Sequence, residues 1–284
     1  MQNIGFIGLG AMGSEMAPLL SKAGYNVFGF DIKKKIDENT GVINVEDIKS
    51  LVDKDVIIFM LPDGKAVAKT TESLINYGSK SIMVDMSSSH PDDTLVLGKK
   101  LKENNIILID APVSGGVRKA KTGELMIMAG GDVQDINNVM NILLEMGKVQ
   151  ITGPLGSGHA MKSLNNYVSA AGLIASFEAL NAAKKIGIDP KNFVNIINGA
   201  TGKNNTTEVK LDKFVISEQY NSGFALDLMV KDVSIADGLI KKLTNTNPLS
   251  ENVLLSSHGG LQTASLVVVH EFFTPAAPQV VLHC

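Results

Sequence analysis

The sequence predicts an α/β chain in two parts: an N-terminal doubly wound, mostly parallel sheet-and-helix domain, then an all-helical C-terminal domain, joined by one long helix. Three observations predict it. Short apolar runs alternate with helical stretches through the first half, the pattern of a parallel α/β sheet. A glycine-rich break, Gly153-Pro154-Leu155-Gly156-Ser157-Gly158, ends that alternation. Residues 160–186 then read as one helix much longer than any before it, stopped by Gly187. The division expected from this is 1–158 and 159–284.

Taken in order, Asn3–Ile7 reads as a short buried strand and Ala11–Ala23 as a helix ending near Gly24. Val27–Phe30 is the second strand. Val56–Leu61, Ile82–Val84, Ile106–Ile109 and Leu125–Ala129 follow, each bounded by turn or polar residues, with helical crossovers between them. In the long helix, Leu164, Val168, Ala171, Ala175 and Leu180 are spread widely enough to predict burial on more than one face. Asp189-Pro190 opens another helix, with proline suited to the first turn. Residues 243–284 are atypical: every Lys and Arg lies at or before Lys242, and three of the five His fall in this segment. Leu266–Val269 and Phe272-Phe273 suit strand better than helix.

Composition bounds the function. With 44% hydrophobic and 19% charged residues the chain matches soluble globular proteins. A formal charge of −3 argues against a nucleic-acid partner. No apolar run approaches the roughly 20 residues that span a bilayer, and Met1-Gln2-Asn3 leads directly into a strand with no signal-peptide pattern. The single Cys, Cys284, cannot form an internal disulfide. The expected location is therefore cytoplasmic. No Cys/His cluster suits zinc, and no metal is expected.

Three segments carry chemistry. The first is Gly8-Leu9-Gly10-Ala11-Met12-Gly13, after a strand and opening a helix. Gly8 permits the tight turn, Gly10 lets backbone approach a pyrophosphate, and Gly13 lets helix and sheet pack closely, as in a Rossmann domain. Helix N–H groups then face the phosphates. Asp31, ending the next strand, suits the ribose hydroxyls and repels a 2′-phosphate, which favours NAD over NADP. Lys33-Lys34-Lys35, just beyond, pulls the other way.

The second segment is Asp110-Ala-Pro-Val-Ser114-Gly115-Gly116-Val-Arg118, where a hydroxyl and two glycines offer donors to a carboxylate. Alone, it reads more readily as an ordinary turn-rich loop. The third is Gly156-Ser-Gly158-His-Ala-Met-Lys162-Ser-Leu-Asn165-Asn166, in which Lys162 and Asn166 share a helical face. Alone, a helix Lys is usually a solvated charge; this one lies one turn inside a helix leaving a domain junction, where pockets form. His90 and His159 have no recognisable partner in the sequence and read as structural or incidental.

The resemblance rests on these segments together. The GFIGLGAMG start, Met60-Leu61-Pro62-Asp63, Asp85-Met-Ser-Ser-Ser-His-Pro91, DAPVSGG, GSGHAMKSLNN and Met229-Val-Lys231-Asp232 occur in that order. Over residues 2–242 the chain resembles the β-hydroxyacid dehydrogenase family, which includes 3-hydroxyisobutyrate, tartronate semialdehyde and L-threonate dehydrogenases. The resemblance implies hydride transfer between a nicotinamide cofactor and a small 3-hydroxy acid, or the corresponding semialdehyde or keto acid. It implies that Lys162 is the catalytic acid/base. It implies substrate binding by Ser114, Gly115, Gly116 and Asn166, and cofactor contacts from Gly8, Gly10, Ala11, Met12, Gly13, Asp31, Leu61, Pro62, Ser88 and Lys231.

Ser88 replaces the Thr frequent in the family and keeps its hydroxyl. Gly123-Glu124 departs from the common Gly-Thr, which leaves the substrate open. From about Ser256 onward no correspondence is visible. A Lys acting as base near neutral pH needs burial or cationic neighbours to lower its pKa.

The expected partner is a small carboxylate, with no nucleic acid and no membrane, and the expected assembly is a homodimer or homotetramer. Two alternatives stand beside this reading. One is an oxidative decarboxylase of the 6-phosphogluconate type, disfavoured because Arg118 is the only Arg. The other is a non-catalytic NAD-binding module, disfavoured by the joint presence of Lys162 and Asn166.

Overall fold

A computed structural model describes residues 2–219, 225–244 and 252–253. The chain divides into two compact units, the break falling between Lys162 and Ser163.

In the first unit, β1 (Asn3–Ile7), β2 (Asn26–Phe30), β3 (Ile43–Asn44), β4 (Val56–Phe59), β5 (Ile82–Asp85) and β6 (Leu108–Asp110) form a parallel sheet in the order β3-β2-β1-β4-β5-β6. Helices α1 (Gly13–Lys22), α2 (Gly64–Asn76) and α3 (Pro91–Glu103) occur between these strands. Strand order reverses beside β1, the point at which open α/β sheets form a ligand crevice at their strand C-termini.

All four residues of β4 are buried. Val56 and Ile58 join a core with Met16 and Leu20 of α1, while Ile57 and Phe59 join one with Val67 and Leu74 of α2 and Leu97 and Leu101 of α3. A strand covered on both faces reads as an unbroken apolar run, which is why VIIF shows no alternation. Each such side chain contributes about 1.5–3 kcal/mol by leaving water.

The sheet is not parallel throughout. β7 (Val113–Ser114) and β6 run antiparallel to β8 (Leu125–Gly130), with Asp110 opposite Gly130, Val113 opposite Ile127 and Ser114 opposite Met126. The register is common to both, so β6 and β7 are one antiparallel partner interrupted at Ala111-Pro112. The short helix α4 (Gly116–Thr122) lies between β7 and β8, too short for a parallel crossover. After α5 (Val133–Leu144), β9 (Gly147–Gly153) returns parallel to β8.

Helix α6 (Ser157–Lys185) crosses from the first unit into the second. In the second unit its Ala170, Leu173, Phe177 and Leu180 form one stripe at helical spacing. This stripe packs with Val194 of α7 (Pro190–Gly199), Leu211 and Val215 of a π-helix over Thr206–Ile216, and Met229 and Val233 of α8 (Leu226–Thr244). Val168 and Ala175, expected to be buried, are exposed, Val168 at 67%. The buried stripe is narrower than the sequence suggests because small residues fill several faces without being covered. The strand expected over Leu266–Phe273 lies outside the described residues.

Candidate active site

The first constellation sits at the reversal in strand order. Gly8 has φ +99°, and a methyl group there would fall 2.2 Å from the Met60 carbonyl oxygen after β4. A methyl group on Gly13 would fall 1.9 Å from the Gly8 carbonyl oxygen. These two glycines are required by the protein itself. Gly10 is different, since a methyl group there meets no protein atom within 4 Å. Its open face is where an approaching pyrophosphate would need backbone without a side chain.

Side-chain caps also differ among the helices. Asp63, Asp132 and Asp189 cap α2, α5 and α7, and His90 Nδ1 accepts from Asp92 N at the start of α3. The residues before α1 and α4, Met12 and Gly115, provide no side-chain cap. The π-helix over Thr206–Ile216 likewise has no side-chain cap. Helices α1 and α4 both follow glycine loops, the first assigned to the cofactor and the second to the substrate. Free N–H groups there suit an anion.

Asp31, half-buried just past β2, accepts hydrogen bonds from Leu9 N at 2.8 Å, Lys33 N at 2.7 Å and Lys34 N at 3.0 Å. The carboxylate therefore ties the glycine loop to the end of β2 and retains a lone pair for a ribose hydroxyl. Lys35 pairs with Glu46, so one of the three lysines already has a counter-charge. Leu61 and Pro62 follow β4 and Ser88 follows β5. Leu61 N donates to Ser87 Oγ at 2.9 Å, and Ser88 is half-buried. Thus Gly8–Gly13, Asp31, Leu61, Pro62 and Ser88 all lie just past the C-terminal ends of neighbouring strands.

Ser114 ends β7, and Gly115 and Gly116, with φ of +137° and +68°, lead into α4. Lys162 lies near the start of α6 and is half-buried. The docking of this helix start comes from Asp110, the last residue of β6, whose carboxyl accepts from Gly156 N at 2.7 Å and His159 N at 2.8 Å. Desolvation pushes that carboxyl above its ordinary pKa, opposed by the attraction of His159. The approach is close enough that a methyl group on Gly158 would sit 2.2 Å from the Met128 carbonyl oxygen. Glycine at 158 lets the first turn of α6 lie directly on β8.

In the second unit, Asn166 is buried and donates through Nδ2 to Asp232 Oδ2 of α8. Asp232 Oδ1 lies 4.0 Å from Lys231 Nζ. Buried Asp232 thereby orients the Asn166 amide and adjoins the Lys231 ammonium.

A family model described as the NAD binding domain of 6-phosphogluconate dehydrogenase matches residues 3–156. A second, described as the NAD-binding of NADP-dependent 3-hydroxyisobutyrate dehydrogenase, matches residues 156–256. The chain is also 33% identical over 245 residues to 2-(hydroxymethyl)glutarate dehydrogenase of Eubacterium barkeri, covering 82% of this chain and 80% of the relative. This chain belongs to the β-hydroxyacid dehydrogenase family. It is an NAD(P)-dependent oxidoreductase of the CH–OH group.

Another member, the mitochondrial 3-hydroxyisobutyrate dehydrogenase of Drosophila melanogaster, is 33% identical over 261 residues, 87% of this chain and 81% of its own length. The structure of a Mycobacterium tuberculosis 3-hydroxyisobutyrate dehydrogenase with L-serine aligns at a TM-score of 0.85 and 28% identity, over 95% of this chain and 98% of that one. The family match ends at residue 256. No helix among the described residues is long and apolar enough to cross a membrane.

Three buried polar residues, Asp85, Asp110 and His159, escape sequence reasoning. Asp85 and Asp110 end the apolar strands IMVD and LID, and both are buried. An apolar strand ending in Asp, twice over, was the available signal. His159, read from sequence as structural or incidental like His90, is buried between those carboxyls, and His90 is the cap of α3.

Proposed function

We propose that this dehydrogenase interconverts a small 3-hydroxy acid and its semialdehyde or keto acid, prefers NAD, and uses Lys162 as the proton acceptor and donor. The observation that carries this reading is the open Gly10 face at the uncapped start of α1, in a chain whose Lys162 rides on a helix start fixed by Asp110. The two family relatives support the substrate class. 3-Hydroxyisobutyrate and 2-(hydroxymethyl)glutarate, which name them, both carry a hydroxymethyl group on the carbon beside a carboxylate.

The residues fit a dinucleotide. Gly8–Gly13 and the start of α1 would receive the pyrophosphate, Asp31 the adenosine ribose, and Leu61, Pro62 and Ser88 line the continuation over β4 and β5. Lys231 is assigned to the nicotinamide end. NAD preference follows from Asp31, a negative charge facing any 2′-phosphate, with Lys35 already paired to Glu46. The bound nicotinamide supplies a hydride acceptor or donor.

Everything else falls to the protein. Ser114 Oγ and the N–H groups of Gly115 and Gly116 hold the substrate carboxylate, and Asn166 orients the hydroxyl. In oxidation the neutral Lys162 amine accepts the hydroxyl proton as the hydride leaves carbon. In reduction its ammonium returns a proton to the carbonyl oxygen. A screen of C3–C5 hydroxy acids with NAD and NADP tests the reading. Reduction of NAD by a 3-hydroxy acid, faster than of NADP, is expected; turnover confined to substrates lacking a carboxylate, or faster with NADP, would contradict it.

A further inference from the structure

The imidazole of His159 is fully buried and lies among three elements of the first unit. Its Nδ1 is 2.9 Å from Thr94 Oγ1 of α3 and 3.6 Å from Asp110 Oδ2 at the end of β6. Its Nε2 is 3.6 Å from Asp85 Oδ2 at the end of β5 and makes no hydrogen bond among the described residues. Asp85 in turn accepts from Ser87 N at 2.9 Å and Ser89 Oγ at 2.8 Å. Ser87 Oγ accepts from Leu61 N, in the loop after β4.

A polar path therefore runs from the loop assigned to the cofactor, through Ser87 and Asp85, to His159. From there it continues along one helical turn to Lys162. Packing alone does not call for such a group. An apolar side chain would fill the same space, but it would leave Asp85 and Asp110 as two buried carboxyls facing one another with nothing cationic or protic between them.

We propose that His159 is a positioning residue for Lys162: wedged between Asp85 and Asp110, it fixes the first turn of α6 relative to the cofactor-side loops, so that the amine meets the substrate hydroxyl in a reactive geometry. This rests on the catalytic role of Lys162 and acts only through it. A displacement of about 1 Å at a reacting group can cost roughly 100-fold in rate. The side chains facing His159 from the packed elements are Thr94, Asp85 and Asp110.

The test is a mutant cycle on the intact protein, with kcat, KM and NADH affinity measured for His159→Leu, His159→Gln, Lys162→Ala and the double variant His159→Leu/Lys162→Ala. His159→Leu is expected to lower kcat roughly 10- to 100-fold while NADH affinity and substrate KM change less than threefold. His159→Gln, which keeps a polar side chain between Asp85 and Asp110, should recover most of the loss. The double variant should be no slower than Lys162→Ala alone, since groups that act as a unit are non-additive.

If His159→Leu does not fold, Thr94→Val serves instead. It breaks the Nδ1 bond, leaves the ring in place, and should give a smaller loss of kcat that also vanishes in the Lys162→Ala background. A multiplicative loss in either double variant, or a loss of NADH affinity equal to the loss of kcat, overturns the positioning role and leaves Lys162 intact as the catalyst. Full activity in Lys162→Ala would instead overturn the catalytic reading on which the proposal depends.

Discussion

Gly10→Ala separates a glycine kept for the fold from one kept for the ligand. A methyl group at this position meets no protein atom within 4 Å, and Gly10 is not among the positive-φ glycines. Alanine therefore fits, and by restricting the unfolded chain it stabilises by about 0.4–1 kcal/mol. For a chain of this size that is a rise of roughly 2–4 °C in Tm at most. The same methyl stands between the loop N–H groups and an approaching pyrophosphate. Losing one charge-assisted hydrogen bond costs about 1.5–3 kcal/mol, or roughly 10- to 150-fold in affinity.

Gly13→Ala is the counterpart: its methyl would lie 1.9 Å from backbone oxygen, so the loop and helix must part. It should lose about 1–3 kcal/mol of stability and NADH binding together. The assay is NADH fluorescence titration beside thermal unfolding for both variants. Unchanged NADH affinity in Gly10→Ala, or a collapse of its Tm, would refute the reasoning.

Asp31→Asn should narrow the NAD-over-NADP ratio in kcat/KM by roughly tenfold, one displaced charge–phosphate repulsion of about 1.4 kcal/mol; an unchanged ratio would mean that Asp31 only ties the loop. Ser114→Ala should raise substrate KM several-fold with NADH affinity unchanged, and Gly115→Val should do more harm, because φ there is +137° and the Lys119 side chain lies 2.8 Å from any added Cβ. If both altered only Tm, the loop would be structural. Asp110 gives a pH dependence. Burial raises its folded pKa above the unfolded value, so the stability it lends is greatest below about pH 4 and declines as pH rises through the folded pKa. The stability gap between wild type and Asp110→Asn should therefore shrink from pH 4 upward, as read by urea unfolding; a widening gap would contradict the direction.

Much of the first unit was legible because its local signals agree. GFIGLGAMG places the end of a strand, a turn and the start of a helix in nine residues, and VIIF and IMVD are apolar enough to name as buried strands. Asp189-Pro190 marks the start of α7 equally well. What escaped was non-local or lacked a distinct period. β9, GKVQITG, mixes exposed and half-buried positions and exists through its pairing with β8. The π-helix at Thr206–Ile216 differs from an α-helix in hydrogen-bond span, which apolar spacing does not report.

The partners of His159 and Asn166 illustrate the same limit. Thr94 and Asp110 lie 65 and 49 residues from His159, and Asp232 lies 66 residues from Asn166. No window along the chain contains both ends of such a contact. Lys162 stood out only through the segment around it, since a single lysine on a helix carries no signal of its own.

The most direct measurement is turnover by Lys162→Ala on a hydroxy acid that the wild type oxidises, with NADH affinity measured on the same preparation. A lysine that moves the hydroxyl proton predicts a fall in kcat of roughly 10²–10⁴, retained NADH binding, and no rescue by Lys162→Arg, whose guanidinium stays protonated. Turnover within a few-fold of wild type in Lys162→Ala would remove the lysine from the chemistry and contradict the account.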